Sequence, residues 1–409
     1  MRSDGMRRFG ASVVIVAGVV IAMAAVQVFR PAPAVQVQAT MASVTKVPGQ
    51  LSLPWPSTGE AALAVAGVGV LGSSGGNTPM PMASLTKMMT AYLVLQAHPL
   101  ATGENGPSLT VTPQDVVDYQ QDKARGDSVV QVAVGEVLTE RQLLEALLLP
   151  SGDNIATLLS RWVAGSQTAF VQEMNQSASK LGMTHTHYAE PAGTSHATVS
   201  TALDQLKLAE TMMQNPVFSD IVAKPQATFP LAGTQYNVNY VLGQDGIVGI
   251  KTGSTPHDGG NFAFAAKQTV QGHAVTLIGV VLGQGGVQPL QSAFSAAKNL
   301  LVAGQKNLHL LQVVRPGQAG ALLNVPWQSS VTAVGNRGVT VVTWPGLVVQ
   351  SRVQPEVLGH QVKAGALVGT LQLQVGSKKF QVPLQASQGI QPPVLKWRLE
   401  RLPGFLRHL

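Results

Sequence analysis

The chain has 409 residues, 45% of them hydrophobic, with 42 glycines and 25 prolines, which is typical of a folded protein of two or more domains with many turns. Its formal charge is +7, yet only 11% of the residues are charged and no basic run is interleaved with aromatic residues, so nucleic acid is not an expected partner. The absence of cysteine excludes disulfides and thiolate chemistry.

The N-terminal segment is the first predicted element. Residues 9–29 carry no charge and follow three arginines. A helix of this length crosses a bilayer core of about 30 Å, and the basic flank predicts a cytoplasmic N-terminus with the rest of the chain outside. We predict that residues 1–34 are a signal peptide or an N-terminal membrane anchor: the small residues at 31–34 favour cleavage, whereas the length favours retention. A buried core helix is the third interpretation.

The next part of the chain predicts a linker and then one large domain. Residues 35–56 are proline-rich and are predicted to be a linker. Residues 57–304 are predicted to form an α/β (α+β) catalytic domain with helices around an antiparallel sheet. Apolar periodicity, capping boxes and glycine-bounded runs predict helices at 84–96, 139–149, 154–163, 167–181 and 201–214, and strands at 61–71, 246–251, 262–267 and 274–282.

The C-terminal part differs in its sequence pattern from the rest of the chain. Residues 305–391 contain short Val- and Leu-rich runs between Pro and Gly turns, which predict a separate all-β domain. Residues 392–409 are a basic amphipathic tail with leucines at helical spacing (395, 399, 402, 406 and 409). Two interpretations stay open, namely a helix lying on an anionic membrane and a helix docked on the β domain.

Three short motifs lie in order along the predicted catalytic domain: Ser84-Leu85-Thr86-Lys87, Ser151-Gly152-Asp153-Asn154 and Lys251-Thr252-Gly253. A serine hydroxyl needs a base to become a nucleophile, and Lys87 follows Ser84 by one helical turn on the same face. Burial and a helix N-terminus favour the neutral amine, so we predict that Lys87 is a neutral base. Each residue also has an ordinary structural interpretation, such as a helix cap for Ser84, but the order and spacing argue against all of these together.

The other motif residues complete the predicted site. Ser151 is expected to relay a proton towards the leaving group, and Lys251 to supply cationic charge for a substrate carboxylate. Thr252 and Gly253 are predicted to bind the substrate, and glycine allows an extended substrate to lie against the strand. No histidine falls in a zinc pattern and no phosphate loop is present, so neither a metal nor another cofactor is predicted, although a Ser-His-Asp triad stays open.

These motifs resemble those of the serine-type D-alanyl-D-alanine carboxypeptidases, the low-molecular-weight penicillin-binding proteins of β-lactamase/transpeptidase-like fold. The resemblance covers residues 55–300 and includes the segments around Gly135-Glu136, Pro150-Ser151 and Pro191-Ala192-Gly193. It implies a Ser84 acyl-enzyme formed from stem peptides of peptidoglycan ending in D-Ala-D-Ala, inhibition by β-lactams, and an extracytoplasmic location in the cell envelope, membrane-associated or secreted. The implied membrane contact is through the N-terminal segment and, in one interpretation, the C-terminal tail.

Two positions depart from the family pattern. Family members usually have Asn two residues after the second-motif serine, whereas this chain has Asp153 there and Asn154 next; both are predicted substrate-binding residues. The second departure is Glu190, which invites comparison with class A β-lactamases that use a Glu to activate the deacylating water. A β-lactamase and a non-catalytic wall-binding or sensor protein are therefore the alternative functions.

Overall fold

The computed structural model describes residues 3–255 and 257–401, and the chain divides into two compact units. One unit comprises residues 48–310 with 342–347, and the other joins the N-terminal residues up to 47 to residues 311–341 and to the chain from 348 onwards. We refer to them as the catalytic unit and the β unit.

The helices are α1 (Ser3–Phe29), α2 (Lys87–Ala97), α3 (Pro113–Arg125), α4 (Glu140–Leu148), α5 (Asp153–Ala164), α6 (Gln167–Lys180), α7 (Ala202–Met213), α8 (Pro216–Val222), α9 (Pro289–Lys306) and α10 (Leu395–Glu400), with 3₁₀ turns at Ala83–Thr86 and Gln244–Gly246. The strands are β1 (Gln36–Ala39), β2 (Val44–Lys46), β3 (Glu60–Val65), β4 (Gly69–Ser74), β5 (Met80–Pro81), β6 (Ser108–Thr110), β7 (Val137–Thr139), β8 (Val199–Ser200), β9 (Gln226–Phe229), β10 (Gly233–Tyr236), β11 (Ile247–Thr255), β12 (Gly259–Val270), β13 (His273–Gln284), β14 (His309–Val314), β15 (Ala319–Asn324), β16 (Val331–Gly335), β17 (Val339–Thr343), β18 (Val348–Pro355), β19 (Leu367–Val375) and β20 (Lys378–Ala386).

The catalytic unit is built on a five-stranded antiparallel sheet in the order β11-β12-β13-β3-β4. Alternate side chains of β3 point to opposite faces. Ala62 belongs to the core shared with the helical block, which comprises α2 and α4 to α8, whereas Leu63 meets Gly304 of α9. The sheet is thus covered by α9 on one face and by the helical block on the other. The order leaves β11 at an edge. The predicted α/β class with helices around an antiparallel sheet is confirmed.

One predicted strand is two strands in the structure. The apolar run 61–71 was expected to be a single strand, but it contains the end of β3, a turn and the start of β4. Gly67 has a φ of +67°, a conformation that glycine adopts at little cost, and this turn reverses the chain within the apolar run.

The β unit contains a seven-stranded antiparallel sheet in the order β1-β15-β16-β20-β19-β18-β2. Both edge strands come from the segment 35–56, which was expected to be a linker. Gln36 pairs with Asn324 on β15, and Thr45 pairs with Val349 on β18. The N-terminal segment is therefore part of the sheet, at least as far as residue 46.

The first and last described helices meet within the β unit. Residues 12–29 of α1 have a mean hydropathy of 2.5 and none of this window is buried, so by length and composition α1 can cross a membrane. At its end, Gln27 Nε2 donates to Arg401 O at 2.8 Å, and an Arg398 N–H donates to Val28 O at 2.7 Å. The predicted tail 392–409 begins with α10, while residues 402–409 lie outside the described residues.

Glu140 at the start of α4 gives a pH-dependent stability. It is fully buried, and within the described residues neither carboxyl oxygen has a hydrogen-bond partner; burial raises its pKa from 4.5 to about 7. Because the folded pKa lies above the unfolded one, the neutral form stabilises the fold below about pH 4.5, and this contribution is lost as the pH rises through 7.

We therefore expect Glu140→Gln to gain stability relative to the unmodified chain between pH 5 and pH 8, by about 2 kcal/mol. Thermal unfolding midpoints across this range measure the effect. Glu173→Gln, at an exposed position of α6, is the matched control. It should leave the pH dependence of the unfolding midpoint as it is in the unmodified chain. A parallel pH dependence for the two variants would contradict the assignment.

Candidate active site

Ser84 lies in a 3₁₀ turn that leads directly into α2. Apolar residues in and next to the turn are fully buried, among them Met82, Leu85 and Met88, while Ser84 itself is half-buried. Ala83 has a φ of +48°, and its carbonyl accepts a hydrogen bond from Thr86 Oγ1 at 2.8 Å. The core thus fixes the backbone of the turn and leaves the serine hydroxyl accessible.

Lys87 is the first residue of α2 and is completely buried. Its Nζ donates to Ser84 Oγ at 2.8 Å, as the spacing of the first motif predicts. Two further acceptors hold the amine, namely Asp153 Oδ1 at 2.5 Å and the carbonyl of Ala192 at 2.7 Å. The side chain that is predicted to be the base is therefore fixed against the predicted nucleophile by two separate segments of the chain.

Ser151 occupies the sharp turn between α4 and α5. The capping box of Thr139 with Gln142 begins α4 as predicted, and Ser151 has a φ of +70°, a left-handed conformation that is costly for a residue with a side chain. Its hydroxyl is buried and bonds to no group in the part of the chain that the structure describes. This leaves the hydroxyl available to a substrate or to a proton in transit.

Asp153 and Asn154 lie side by side at the start of α5 but have different partners. Asp153 Oδ1 contacts Lys87, and its Oδ2 accepts from Ser128 N at 3.0 Å. Asn154 turns away: its amide accepts from Val130 N at 3.0 Å and donates to Val130 O at 2.9 Å. The position beside the lysine is therefore filled by the aspartate, and Asn154 does not take its place.

The third motif lies on β11, where Lys251, Thr252 and Gly253 pair with β12 and are all buried. A Cβ at position 253 would come within 2.8 Å of Ser84 N and 3.1 Å of Met82 O. Only glycine allows the edge strand to approach the Ser84 turn so closely. The structure thus brings the first and third motifs into contact.

Lys251 is buried on β11, and its Nζ donates to Thr252 O at 2.9 Å. Burial is the main cause that lowers its pKa well below the usual lysine value; the charge of Lys87 lowers it further, and the charge of Asp153 opposes both. The two lysines and the aspartate of the three motifs therefore form one electrostatically coupled group.

Glu190 supports the loop that reaches Lys87. Its carboxylate accepts from Ala192 N at 2.6 Å and from Gly193 N at 2.8 Å, and Pro191 O accepts from Thr90 Oγ1 at 2.6 Å. Both carboxylate oxygens are thus engaged by the backbone of their own loop, which presents the Ala192 carbonyl to the lysine. These hydrogen bonds do not favour a role of Glu190 as the base that activates a water.

Two partners of Lys87 were missed from the sequence. The Ala192 carbonyl is a backbone group without a sequence signal, although Pro191-Ala192-Gly193 stands out as a motif. The Lys87–Asp153 ion pair joins residues 66 positions apart, and nothing local indicates it. Among the described residues, no group of three or more His, Cys, Asp or Glu side chains is arranged to hold a metal ion.

Comparison with known proteins gives consistent matches. A family model described as D-alanyl-D-alanine carboxypeptidase matches residues 63–286. D-alanyl-D-alanine carboxypeptidase DacB2 of Mycobacterium tuberculosis is 33% identical over 224 residues, which are 53% of this chain and 72% of that protein. D-alanyl-D-alanine carboxypeptidase DacC of Escherichia coli is 28% identical over 334 residues, which are 79% of this chain and 81% of that protein.

A solved structure agrees with these matches. The crystal structure of the Streptomyces K15 DD-transpeptidase is similar to this chain with a TM-score of 0.55 and 27% identity, covering 62% of this chain and 99% of that one. The family resemblance predicted from the three motifs is thereby confirmed. Neither the β-lactamase nor the non-catalytic alternative is favoured by these comparisons.

Proposed function

The chain belongs to the D-alanyl-D-alanine carboxypeptidase family, and we propose that it releases the terminal D-alanine of peptidoglycan stem peptides through an acyl-enzyme on Ser84. The observation that carries the proposed nucleophile is the contact of 2.8 Å between Ser84 Oγ and the buried Lys87 Nζ, opposite the edge strand β11. A positioned base at hydrogen-bond distance is what a serine hydroxyl needs to attack a carbonyl.

The first half-reaction forms the acyl-enzyme. Ser84 Oγ attacks the carbonyl carbon of the penultimate D-Ala, and its proton passes to Lys87 Nζ. The C–N bond then breaks, and the departing D-Ala amine takes a proton. We assign the relay of this proton to the hydroxyl of Ser151, which has no partner among the described residues. Water afterwards hydrolyses the ester and frees Ser84.

The substrate is held along β11 in this proposal. The strand is an edge strand of the five-stranded sheet, and an extended peptide that added to it would bind through backbone hydrogen bonds. Thr252 and Lys251 are proposed to receive the terminal carboxylate. Burial disfavours the charged form of Lys251, and an arriving carboxylate favours it, so substrate binding is proposed to draw a proton onto this amine.

The cellular location follows from α1 in the same proposal. Its apolar residues 12–29 support a location of the rest of the chain outside the cytoplasmic membrane, either anchored by α1 or exported with its removal. Stem peptides of the wall lie on that side of the membrane. The contact of α10 with the end of α1 is proposed to keep the basic tail near the bilayer surface.

The test is intact-mass analysis of the full chain in detergent after addition of penicillin, with Ser84→Ala as the control. We expect a persistent adduct of one penicillin on the unmodified chain and none on the variant, together with D-Ala release from a stem-peptide substrate by the unmodified chain alone. An adduct on Ser84→Ala would place the nucleophile elsewhere. Rapid loss of the adduct with excess penicillin hydrolysed would instead indicate a β-lactamase, and no adduct on a folded chain would overturn the proposal.

A further inference from the structure

The ion pair between Lys87 and Asp153 sets this site apart from the pattern that the family resemblance implies. The two side chains are 0% and 8% exposed, and Nζ lies 2.5 Å from Oδ1. An Asn is the residue usually found at the position of Asp153, and an amide carries no net charge. A full negative charge therefore contacts the group that is proposed to act as the base.

The geometry around Nζ matches the protonated amine. Its three polar neighbours are the hydroxyl of Ser84, the carboxylate of Asp153 and the carbonyl of Ala192. An ammonium has three N–H donors and can satisfy all three, whereas a neutral amine has two donors and one lone pair. A neutral amine would also fit these neighbours, by donating to the carboxylate and the carbonyl and accepting from the Ser84 hydroxyl. The contact that favours the cation is the one with Asp153, because a buried carboxylate is stabilised by a charged partner.

Among the described residues, Lys87 is the cation that contacts Asp153 directly. Asp122 lies on α3 and Asp127 follows its last residue, and both form ion pairs with Arg125. Burial raises the pKa of Asp153, Lys87 lowers it, and the charges of Asp127 and of Glu190 add to the rise.

Two further groups complete this electrostatic environment. Lys251 faces the pair from β11 and is coupled to both members. A polar pocket of 320 Å³, lined among others by Asp118, Arg125 and Glu190, reaches Asp153. This pocket gives the pair a route by which a proton can pass to water.

We propose that Asp153 is a positioning residue that holds Lys87 as an ammonium in the resting enzyme, so that acylation must wait for one proton to leave the pair. This inference rests on the proposed Ser84 acyl-enzyme. The Lys87 ammonium first gives a proton to water and becomes an amine beside the Asp153 carboxylate. As the bond from Ser84 Oγ to the carbonyl carbon forms, the Ser84 proton moves to the amine and restores the ammonium. That proton leaves with the D-Ala amine when the C–N bond breaks.

The consequence is a pH dependence that the charge of Asp153 sets. An opposite charge in contact with an amine favours its protonated form. Removing the carboxylate frees the amine at lower pH, so the acid limb of the acylation rate should shift towards acid pH by at least about one unit. At a pH on the acid limb of the unmodified enzyme, the variant should then acylate about tenfold faster or more.

The experiment is the second-order rate constant for acylation by a fluorescent penicillin, measured on the full chain between pH 5 and pH 10. Asp153→Asn is compared with the unmodified chain and with Asp127→Asn, which removes a nearby charge that does not contact Lys87. We expect the acid limb of Asp153→Asn to move to lower pH and that of Asp127→Asn to stay within a few tenths of a unit. Asp153→Glu, which keeps the charge, should keep the limb of the unmodified chain even if its rate falls.

An Asn at position 153 can set an amide N–H against the N–H of Ser128, so Asp153→Ser is the second charge-removing variant and avoids this conflict. If Asp153→Asn or Asp153→Ser folds and acylates more slowly at every pH, with the acid limb at the pH of the unmodified chain, the role of Asp153 is merely structural and the inference is overturned. An equal shift in Asp127→Asn would also overturn it, since the contact would then be irrelevant. Failure of the unmodified chain to be acylated at any pH would refute the proposed function itself.

Discussion

We expect Lys87→Ala to lower the rate of Ser84 acylation by about 10³-fold, because the variant removes the group that is proposed to take the serine proton. The contact of 2.8 Å between Lys87 Nζ and Ser84 Oγ is the structural reason, and within the described residues no other side chain bonds to that hydroxyl. The second-order rate constant with penicillin measures the loss. An acylation rate within tenfold of the unmodified chain would show that another group is the base.

The stability of this variant needs a separate control. Lys87→Ala leaves Asp153 buried without its cation, and an unpaired buried charge costs about 3–5 kcal/mol. The double variant Lys87→Ala/Asp153→Ala removes the orphaned carboxylate. We expect it to recover most of the thermal stability and none of the activity. Recovery of activity together with stability would show that Lys87 only supports the fold.

The second large effect is expected at Gly193, which packs against the turn that carries Ser84. Its φ is +92°, and a Cβ there would lie 1.9 Å from Ala83 O and 2.8 Å from Thr86 Oγ1. Because the contact is with backbone, the loop or the turn must move. We expect Gly193→Ala to lower the free energy of unfolding by more than about 3 kcal/mol and the acylation rate by about 100-fold, since the Ala192 carbonyl would be displaced from Lys87.

Gly165→Ala is the matched control, because Gly165 has a φ of +75° with no atom within 4 Å of the added Cβ. Its loss of stability measures the backbone strain alone, about 1–2 kcal/mol, without a steric clash. Thermal unfolding with and without penicillin identifies the transition of the catalytic unit, and acylation rates complete the comparison. Equal losses of stability in the two variants, with activity retained in both, would refute the role of the Gly193 contact.

The sequence was informative where a local signal determines the local structure. The capping box of Thr139 with Gln142 forms as predicted, and α5 and α6 lie within one residue of their predicted limits. Ser84 and Lys87 are in contact because a spacing of three residues at the start of a helix leaves their side chains few other arrangements.

The rest depended on distant parts of the chain. The strands β1 and β2 are short and largely exposed, so their apolar pattern is weak, and their partners lie near the other end of the sequence. Nothing local to Asp153 shows that it faces Lys87 while Asn154 faces Val130. That choice is made by the turn at Ser151 and by the way in which α5 packs against residues 128–130.

The position of β1 and β2 at the two edges of the β unit determines the order in which the chain can fold. Gln36 and its partner Asn324 are 288 residues apart (324 minus 36), so at roughly 5–20 residues per second of synthesis β1 waits for about 15–60 s. The five-stranded sheet of the catalytic unit is complete at Gln284, well before β15 is made. The strands β1 and β2 can therefore pair only after all the strands of the five-stranded sheet have been synthesised.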